Sequence, residues 1–249
     1  MTNASGRGPG RRSLAAPVHD HRSTSLWGGH RVTGVRAMSA ERAGAAIRHP
    51  DRNRLDGVAE VFAQSHAEYP AFVFTFPDPS QRREALRLFF RAVARDAARF
   101  DSVFVAESPD GALHGAAIWL PPGTFPWSPP RQARAAFDFL GVLAAAPRSF
   151  RTFMGTGQNA ARLHPSGRHW YLEALGVVPT AQGGGLGGRL ISPILELADE
   201  EGVDCYLETS DRTNVPFYER RGFKVEEAEL ALVPGGPRHC SMRRRPMAR

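Results

Sequence analysis

Hydrophobic positions recur along this chain in two rhythms, and their alternation predicts one domain of mixed strands and helices. A short apolar run at 45–49 reads as a first strand. Leu55, Val58, Ala59 and Phe62 share one face of a helix over 53–68, and Leu86, Phe89, Phe90 and Val93 do the same over 81–99. Between them lies Tyr69-Pro70-Ala71-Phe72-Val73-Phe74-Thr75-Phe76-Pro77, which reads as a loop too aromatic to be merely solvated. Runs at 102–107 and 113–120 flank Pro109-Asp110-Gly111 and form a hairpin by pattern and turn chemistry. Two helical patterns follow at 131–145 and 147–163. Residues 170–178, dense in aromatic and aliphatic side chains and closed by Pro179, suit a strand buried on both faces. Leu190, Ile194, Leu197 and Ala198 then fall at helical spacing up to Gly202, and 203–207 reads as a second buried strand. A short helix over 214–219 has Pro216 in its first turn and Gly222 past its end.

Between the strand at 170–178 and the helix after it stand Gln182, Gly183, Gly184, Gly185, Leu186, Gly187, Gly188 and Arg189. Glycines let backbone approach a bulky anion, and a helix starting there aims free N–H groups and a positive dipole end at it. No Gly-Lys-Ser/Thr follows, so this is not a Walker loop. The unit lies late in the chain and does not open a βαβ series, which argues against a dinucleotide fold. Spacing alone predicts a phosphate-bearing ligand at this turn, with a flexible surface loop as the alternative.

Charge narrows the partners. The net charge is +7, yet residues 1–54 hold ten Arg against three acids and residues 238–249 hold five Arg against none. The body between them carries 17 basic and 22 acidic groups, so it lacks the basic stripe of a nucleic-acid-binding protein. Residues 1–40, rich in Gly, Ser, Arg and His, are expected to be a disordered basic leader, and Met38 is an alternative start. No apolar run is long enough for a signal peptide or a membrane span. Cys205 and Cys240 fit a reducing cytoplasm, as small buried hydrophobes rather than a disulfide framework.

Gln182-x-x-Gly185-x-Gly187 after a strand ending in Val177-Val178-Pro179, followed by Asn214 and then Phe217-Tyr218-Glu219 with Gly222-Phe223, resembles the GNAT N-acetyltransferase superfamily. Within it, Leu207-Glu208-Thr209-Ser210, Pro216-Phe217-Tyr218-Glu219-Arg220 and Gly236-Pro237-Arg238 with Cys240 and Met242 are most similar to the puromycin N-acetyltransferase-like actinobacterial members. Tyr69-Pro70 ahead of a charged amphipathic helix is a weaker match. The resemblance covers residues 44–246. It implies an α/β (α+β) fold with a mixed, mostly antiparallel central sheet, flanked by helices and splayed at its two central strands. Residues 121–168 are a helical insertion relative to a minimal member; they either wall the acceptor side or add packing over the sheet.

The same resemblance implies acetyl transfer from acetyl-CoA to a primary amine of a small molecule by direct attack in a ternary complex. No metal, nucleic acid or membrane takes part, and the assembly is a monomer or homodimer. The turn at 182–188 would hold the pyrophosphate with Arg189 as a salt partner, and Val177 and Val178 would pair with pantetheine, with Gly176 the place of a local distortion. Asn214 would bind pantetheine or serve the turn, and Tyr218 would be the general acid or simply pack on the sheet. Glu173, which alternation places on the face of Leu175 and Val177, or Glu208 would be the base; Glu208 is otherwise a structural acid paired with an arginine. His169 reads as a surface residue. The cysteines would lie on neighbouring strands and so close together. Other readings are a GNAT acting on a protein α-amine or on an aminonucleoside or aminoglycoside antibiotic, and a non-catalytic acyl-CoA-binding module.

Overall fold

The structure, a computed structural model, describes residues 44–247. The expected leader at 1–40 lies outside the described residues. Seven strands form one sheet: β1 (Ala46–Arg48), β2 (Val103–Glu107), β3 (Leu113–Leu120), β4 (His169–Val177), β5 (Asp204–Thr209), β6 (Lys224–Ala231) and β7 (Arg238–Arg244). Their order across the sheet is β1-β2-β3-β4-β5-β7-β6. Every neighbouring pair is antiparallel except β4 with β5. This is the mixed, mostly antiparallel sheet that the resemblance implied.

Helices cover both faces, so most strands are buried on both sides. On one face, α1 (Leu55–Ser65) and α3 (Pro79–Ala97) pack Val58, Phe62, Leu86 and Phe90 against Val105, Ile118, Tyr171 and Ala174. On the other, α6 (Leu186–Glu201) packs Leu190, Ile191 and Ile194 against Phe104, Trp119, Leu172 and Leu207. Each cluster removes a large apolar area from water, the dominant favourable term in folding. The stretch at 69–77 departs from the expected loop. It contains α2 (Pro70–Thr75), with Pro70 at the first helical position and Thr75 Oγ1 donating to the Ala71 carbonyl at 2.7 Å. Aromatic content, which argued only against a solvated loop, here serves a single helical turn and a half.

The predicted insertion folds as α4 (Pro129–Ala145) and α5 (Phe150–Leu163), and α7 (Val215–Glu219) completes the helices. Of the last two strands, β7 is the strand expected around Cys240, whereas β6 was not foreseen. The edge strand β6 is exposed at seven of its eight positions and shows no two-residue burial rhythm. The two cysteines do lie on neighbouring strands, but Cys205 faces Arg244 across the β5–β7 ladder while Cys240 faces Thr209. Four residues of register separate them, so they are not close. His169, expected on the surface, is the first residue of β4 and is buried.

Candidate functional site

The site is built on an interrupted parallel pair. β4 and β5 pair only through His169, Trp170 and Tyr171 against Asp204, Cys205 and Tyr206. Beyond that point Leu172 to Val177 have no β5 partner, and a gap opens between the two central strands. The Val178 N–H donates to the His114 carbonyl at 2.9 Å, and the Val178 carbonyl accepts from Ala181 N–H at 2.9 Å. Both backbone groups of Val178 are therefore used, which removes it from the expected edge. Successive residues in an antiparallel ladder alternate the side to which their backbone groups point. Val177 and Leu175 hence present theirs to the gap, and the Val177 carbonyl takes a bond from Gln182 Nε2 at 3.1 Å. Leu175 takes the place given to Val178, a substitution that only the ladder's parity reveals.

The distortion in β4 is at Glu173, not Gly176. Ile118 pairs with Ala174 but Trp119 pairs with Leu172, so Glu173 is an extra residue bulged out of the ladder. The bulge breaks the alternation. Leu172, Leu175 and Val177 pack on the α6 side, while Tyr171 and Ala174 belong to the α1 and α3 side. Glu173 joins Tyr171 and Glu208 there, which corrects the expectation that it shares a face with Leu175 and Val177. Gly176 is glycine for another reason: a Cβ would lie 2.2 Å from Ser65 Oγ and 3.1 Å from Phe62 Cδ1.

Glu173 and Glu208 form an acidic pair under the gap. The Tyr171 hydroxyl donates to Glu208 Oε2 at 2.8 Å, whereas Glu173 Oε2 is buried without a hydrogen-bond partner. Burial first, and the charge of Glu208 second, push the Glu173 carboxyl up to about 8. Burial also raises Glu208, against the lowering effect of the Tyr171 and Tyr206 hydroxyls. Glu208 has no arginine partner among the described residues, so the structural alternative considered for it does not hold.

Tyr218 stands on the opposite face, in the α6 cluster, with its ring edge-on to Phe217 and Phe223. Its hydroxyl has no partner among the described residues, and burial raises its pKa. Asn214 precedes α7 without a side-chain capping bond, so its amide is not spent on the helix start. The neighbouring Tyr69 hydroxyl, in contrast, is used up: it bonds Thr209 Oγ1 at 2.9 Å and accepts from Ser210 N–H at 2.8 Å, tying the start of α2 to the end of β5.

At the far end of the gap lies the glycine turn, exposed from Gly183 to Gly185. Gly183 (φ +80°) and Gly185 (φ +77°) occupy the left-handed region and have open space where a Cβ would be. Leu186, Gly187 and Gly188 open α6, and their N–H groups have no intrahelical acceptor. The Arg189 guanidinium does not join them; its Nη2 donates to the Ala45 carbonyl at 2.7 Å. Arg221 supplies the cation instead. Its guanidinium fills the place of a Cβ on Gly188, lies 3.7 Å from the centre of the Phe217 ring, and donates from Nη1 to the Phe217 carbonyl at 2.7 Å. It is half-buried and has no carboxylate partner among the described residues. Sequence reading passed over it, although an aromatic residue and an arginine four apart in Phe217 and Arg221 were a signal.

Acetyl-CoA fits these residues on three observations: the open strand edge at Leu175 and at the Val177 N–H, the anion-ready turn beside Arg221, and the unpartnered Tyr218 hydroxyl with the Asn214 amide.

Comparison with known proteins gives one consistent answer. The acetyltransferase (GNAT) family model matches residues 69–223. An uncharacterized N-acetyltransferase of Schizosaccharomyces pombe is 42% identical over 59 residues, covering 24% of this chain and 24% of the relative. Glucosamine 6-phosphate N-acetyltransferase of Trypanosoma brucei brucei is 32% identical over 62 residues, covering 25% of this chain and 42% of the relative. The chain thus matches less than half the length of these curated relatives. A solved structure from Corynebacterium glutamicum, a histone acetyltransferase and related acetyltransferase, superposes with a TM-score of 0.59 at 22% identity, over 83% of this chain and 98% of that one. It shares the fold.

Proposed function

Because this chain belongs to the acetyltransferase (GNAT) family, whose members use acetyl-CoA, we propose that it acetylates a primary amine of a small molecule, with Glu173 as base and Tyr218 as acid. The observation that carries this reading is the bulged Glu173, whose Oε2 is buried, unpartnered and set beside Glu208. Acetyl-CoA, when bound, supplies a thioester carbonyl open to attack and a thiolate leaving group. Leu175 and Val177 would hold its pantetheine by strand pairing, Asn214 would add a side-chain bond, and the Gly183 to Gly188 turn with Arg221 would hold its phosphates.

Two carboxyls placed this close favour the arrival of a cation, because an ammonium relieves their mutual repulsion. Glu173, raised toward neutrality by burial, is then matched to remove a proton from that ammonium. Glu208, held by Tyr171, keeps the pair oriented and holds the second negative charge. Tyr218 keeps its proton at every physiological pH, so its hydroxyl is a donor for charge developing on sulfur. Tyr218 belongs to the α6 face of the sheet and Tyr171, which holds Glu208, to the other, an arrangement that suits a cofactor bound in the gap.

The motif residues around Leu207 and Pro216 support a place near the puromycin N-acetyltransferase-like members, and two unpaired buried cysteines support a cytoplasmic setting. The test is thiol release from acetyl-CoA over a panel of small amines. Tyr218→Phe should lower the rate by roughly 10²–10⁴-fold, while calorimetry finds acetyl-CoA affinity nearly unchanged. Full activity in that variant would remove Tyr218 from the chemistry.

A further inference from the structure

A cavity of about 290 Å³ opens at the start of β4, apart from the cofactor groove and the carboxyl pair. Phe125, His164, His169 and Tyr171 form its flat walls, with Pro126 and Pro165 among the rest. The Phe125 ring lies 5.1 Å from that of Tyr171, and the His164 ring lies 4.8 Å from it in an edge-on arrangement. Tyr171 therefore has two ends with two tasks. Its ring walls the cavity, and its hydroxyl bonds Glu208 beside Glu173. One phenol separates the cavity from the carboxyl pair.

No Asp, Glu, Lys or Arg lines the cavity. His164 and His169 meet Nε2 to Nε2 at 2.8 Å, a bond in which one ring must accept and so be neutral. Burial holds the pair neutral, and the nearby Arg243 works in the same direction. A phosphate or a second ammonium entering here would find no charged side chain on the walls, and the nearby Arg243 is already paired with Glu226 and Asp204. Flat, uncharged walls and edge-on rings suit an aromatic guest, and the volume exceeds the roughly 150 Å³ that admits a benzene ring.

We propose that this cavity receives the non-reacting end of the acceptor, and that this end is an uncharged planar ring joined to the amine by a short linker. The assignment rests on the amine-acetyltransferase reading and names the acceptor class for it. It excludes amino sugar phosphates, whose charge the cavity cannot pair, and it leaves the ammonium to the carboxyls one phenol away.

The experiment compares kcat/KM for 2-phenylethylamine, hexylamine, glucosamine 6-phosphate and a short peptide with phenylalanine first, in the wild type and in Ser166→Trp and Phe125→Leu. Ser166 lines the cavity, so the indole fills it; the leucine keeps bulk and removes the flat wall. Acetyl-CoA affinity, measured on each protein, reports an intact fold. The wild type should prefer 2-phenylethylamine over hexylamine by roughly tenfold or more, and glucosamine 6-phosphate should be poorest. Each variant should lower kcat/KM for 2-phenylethylamine by roughly 10–100-fold, chiefly through KM, and erase the preference. Equal use of the two amines by the wild type, or an equal loss of both in the variants, would overturn the cavity assignment and leave acetyl transfer standing. Acetyl-CoA binding with no turnover of any amine would overturn the reading beneath it and the assignment together. Turnover confined to peptides with an aromatic first residue would overturn the small-molecule class.

Discussion

At the scale of single residues, Glu173 carries the most consequence, because one extra residue in a ladder decides both its direction and its charge. Its carboxyl rises from an ordinary 4.5 to about 8 through burial and the neighbouring Glu208. A base must be unprotonated, so kcat/KM for an ammonium substrate should climb with pH through the region of about 8. Glu173→Gln should flatten that limb; a variant with an unchanged limb would transfer the role to Glu208 or to solvent. The same shift predicts stability. A carboxyl whose pKa is raised by folding binds more protons in the native state than in the unfolded one between about 4.5 and about 8. Stability then falls as pH rises across that window, and the loss is complete above it. Glu173→Gln should accordingly raise Tm at pH 9 and change it little at pH 4, as differential scanning calorimetry would read. A variant less stable than the wild type at pH 9 would show that the carboxylate has a partner.

At the scale of elements, the glycine turn and α7 act as a unit. Gly187 leaves 3.3 Å between a notional Cβ and the Phe217 ring, and Gly188 leaves room only for the Arg221 guanidinium. Glycine here serves close approach as much as backbone freedom. Arg221→Ala should weaken acetyl-CoA binding by roughly 10–100-fold while the fold survives, since a hydrogen bond to a charged group contributes about 1.5–3 kcal/mol. Arg189→Ala should have little effect on that binding, because its side chain serves the Ala45 carbonyl. Equal effects of the two variants on affinity, read by calorimetry, would return the phosphate-binding role to Arg189. The two arginines also mark how far the sequence was legible. The strand, turn and helix at 169–201 were readable because apolar period and turn chemistry are local. The register of β3 against β4 is a long-range choice. Nothing in the sequence near Glu173 announces a bulge, so the residue was found and its face was misread. Arg189 and Arg221 posed the same problem: one follows the turn directly, the other stands beyond α7, and only packing decides which one reaches it. α2 was missed because six residues are too few to show a helical period, and β6 because an exposed edge strand has no buried face to pattern.

At the scale of the whole molecule, the insertion supplies most of the cavity proposed to take the acceptor. Most of the cavity's walls come from the two ends of the insertion, Pro121 to Pro126 before α4 and His164 to Gly167 after α5, and the rest from His169 and Tyr171 of β4. On that proposal, how α4 and α5 dock on the sheet would set the shape of the acceptor pocket. The anchor is Arg131 at the start of α4, 8% exposed, whose Nε donates to Asp96 Oδ1 of α3 at 3.0 Å. The guanidinium also bonds the Thr124 carbonyl and lies 5.1 Å and 5.3 Å from the ring centres of Phe100 and Trp127. Asp138 of α4 pairs with Arg91 of α3, and Asn159 of α5 donates to the Leu232 carbonyl at 2.6 Å, which fixes the far side. Removing one partner of a buried pair leaves an uncompensated charge and costs about 3–5 kcal/mol, whereas replacing both by apolar groups is often near neutral. Asp96→Ala should therefore lower Tm sharply, and Asp96→Ala with Arg131→Met should recover much of the loss. The functional readout separates docking from folding. In the double variant the insertion keeps its apolar packing but loses its directional anchor, so KM for the acceptor amine should rise while acetyl-CoA affinity holds. The glycine turn, Arg221 and the open edge of β4 all lie outside the insertion, which is why the cofactor side is insulated from the change. A parallel drop in acetyl-CoA affinity would instead mean that the insertion supports the cofactor side as well, and the division between a donor half and an insertion-built acceptor half would fall.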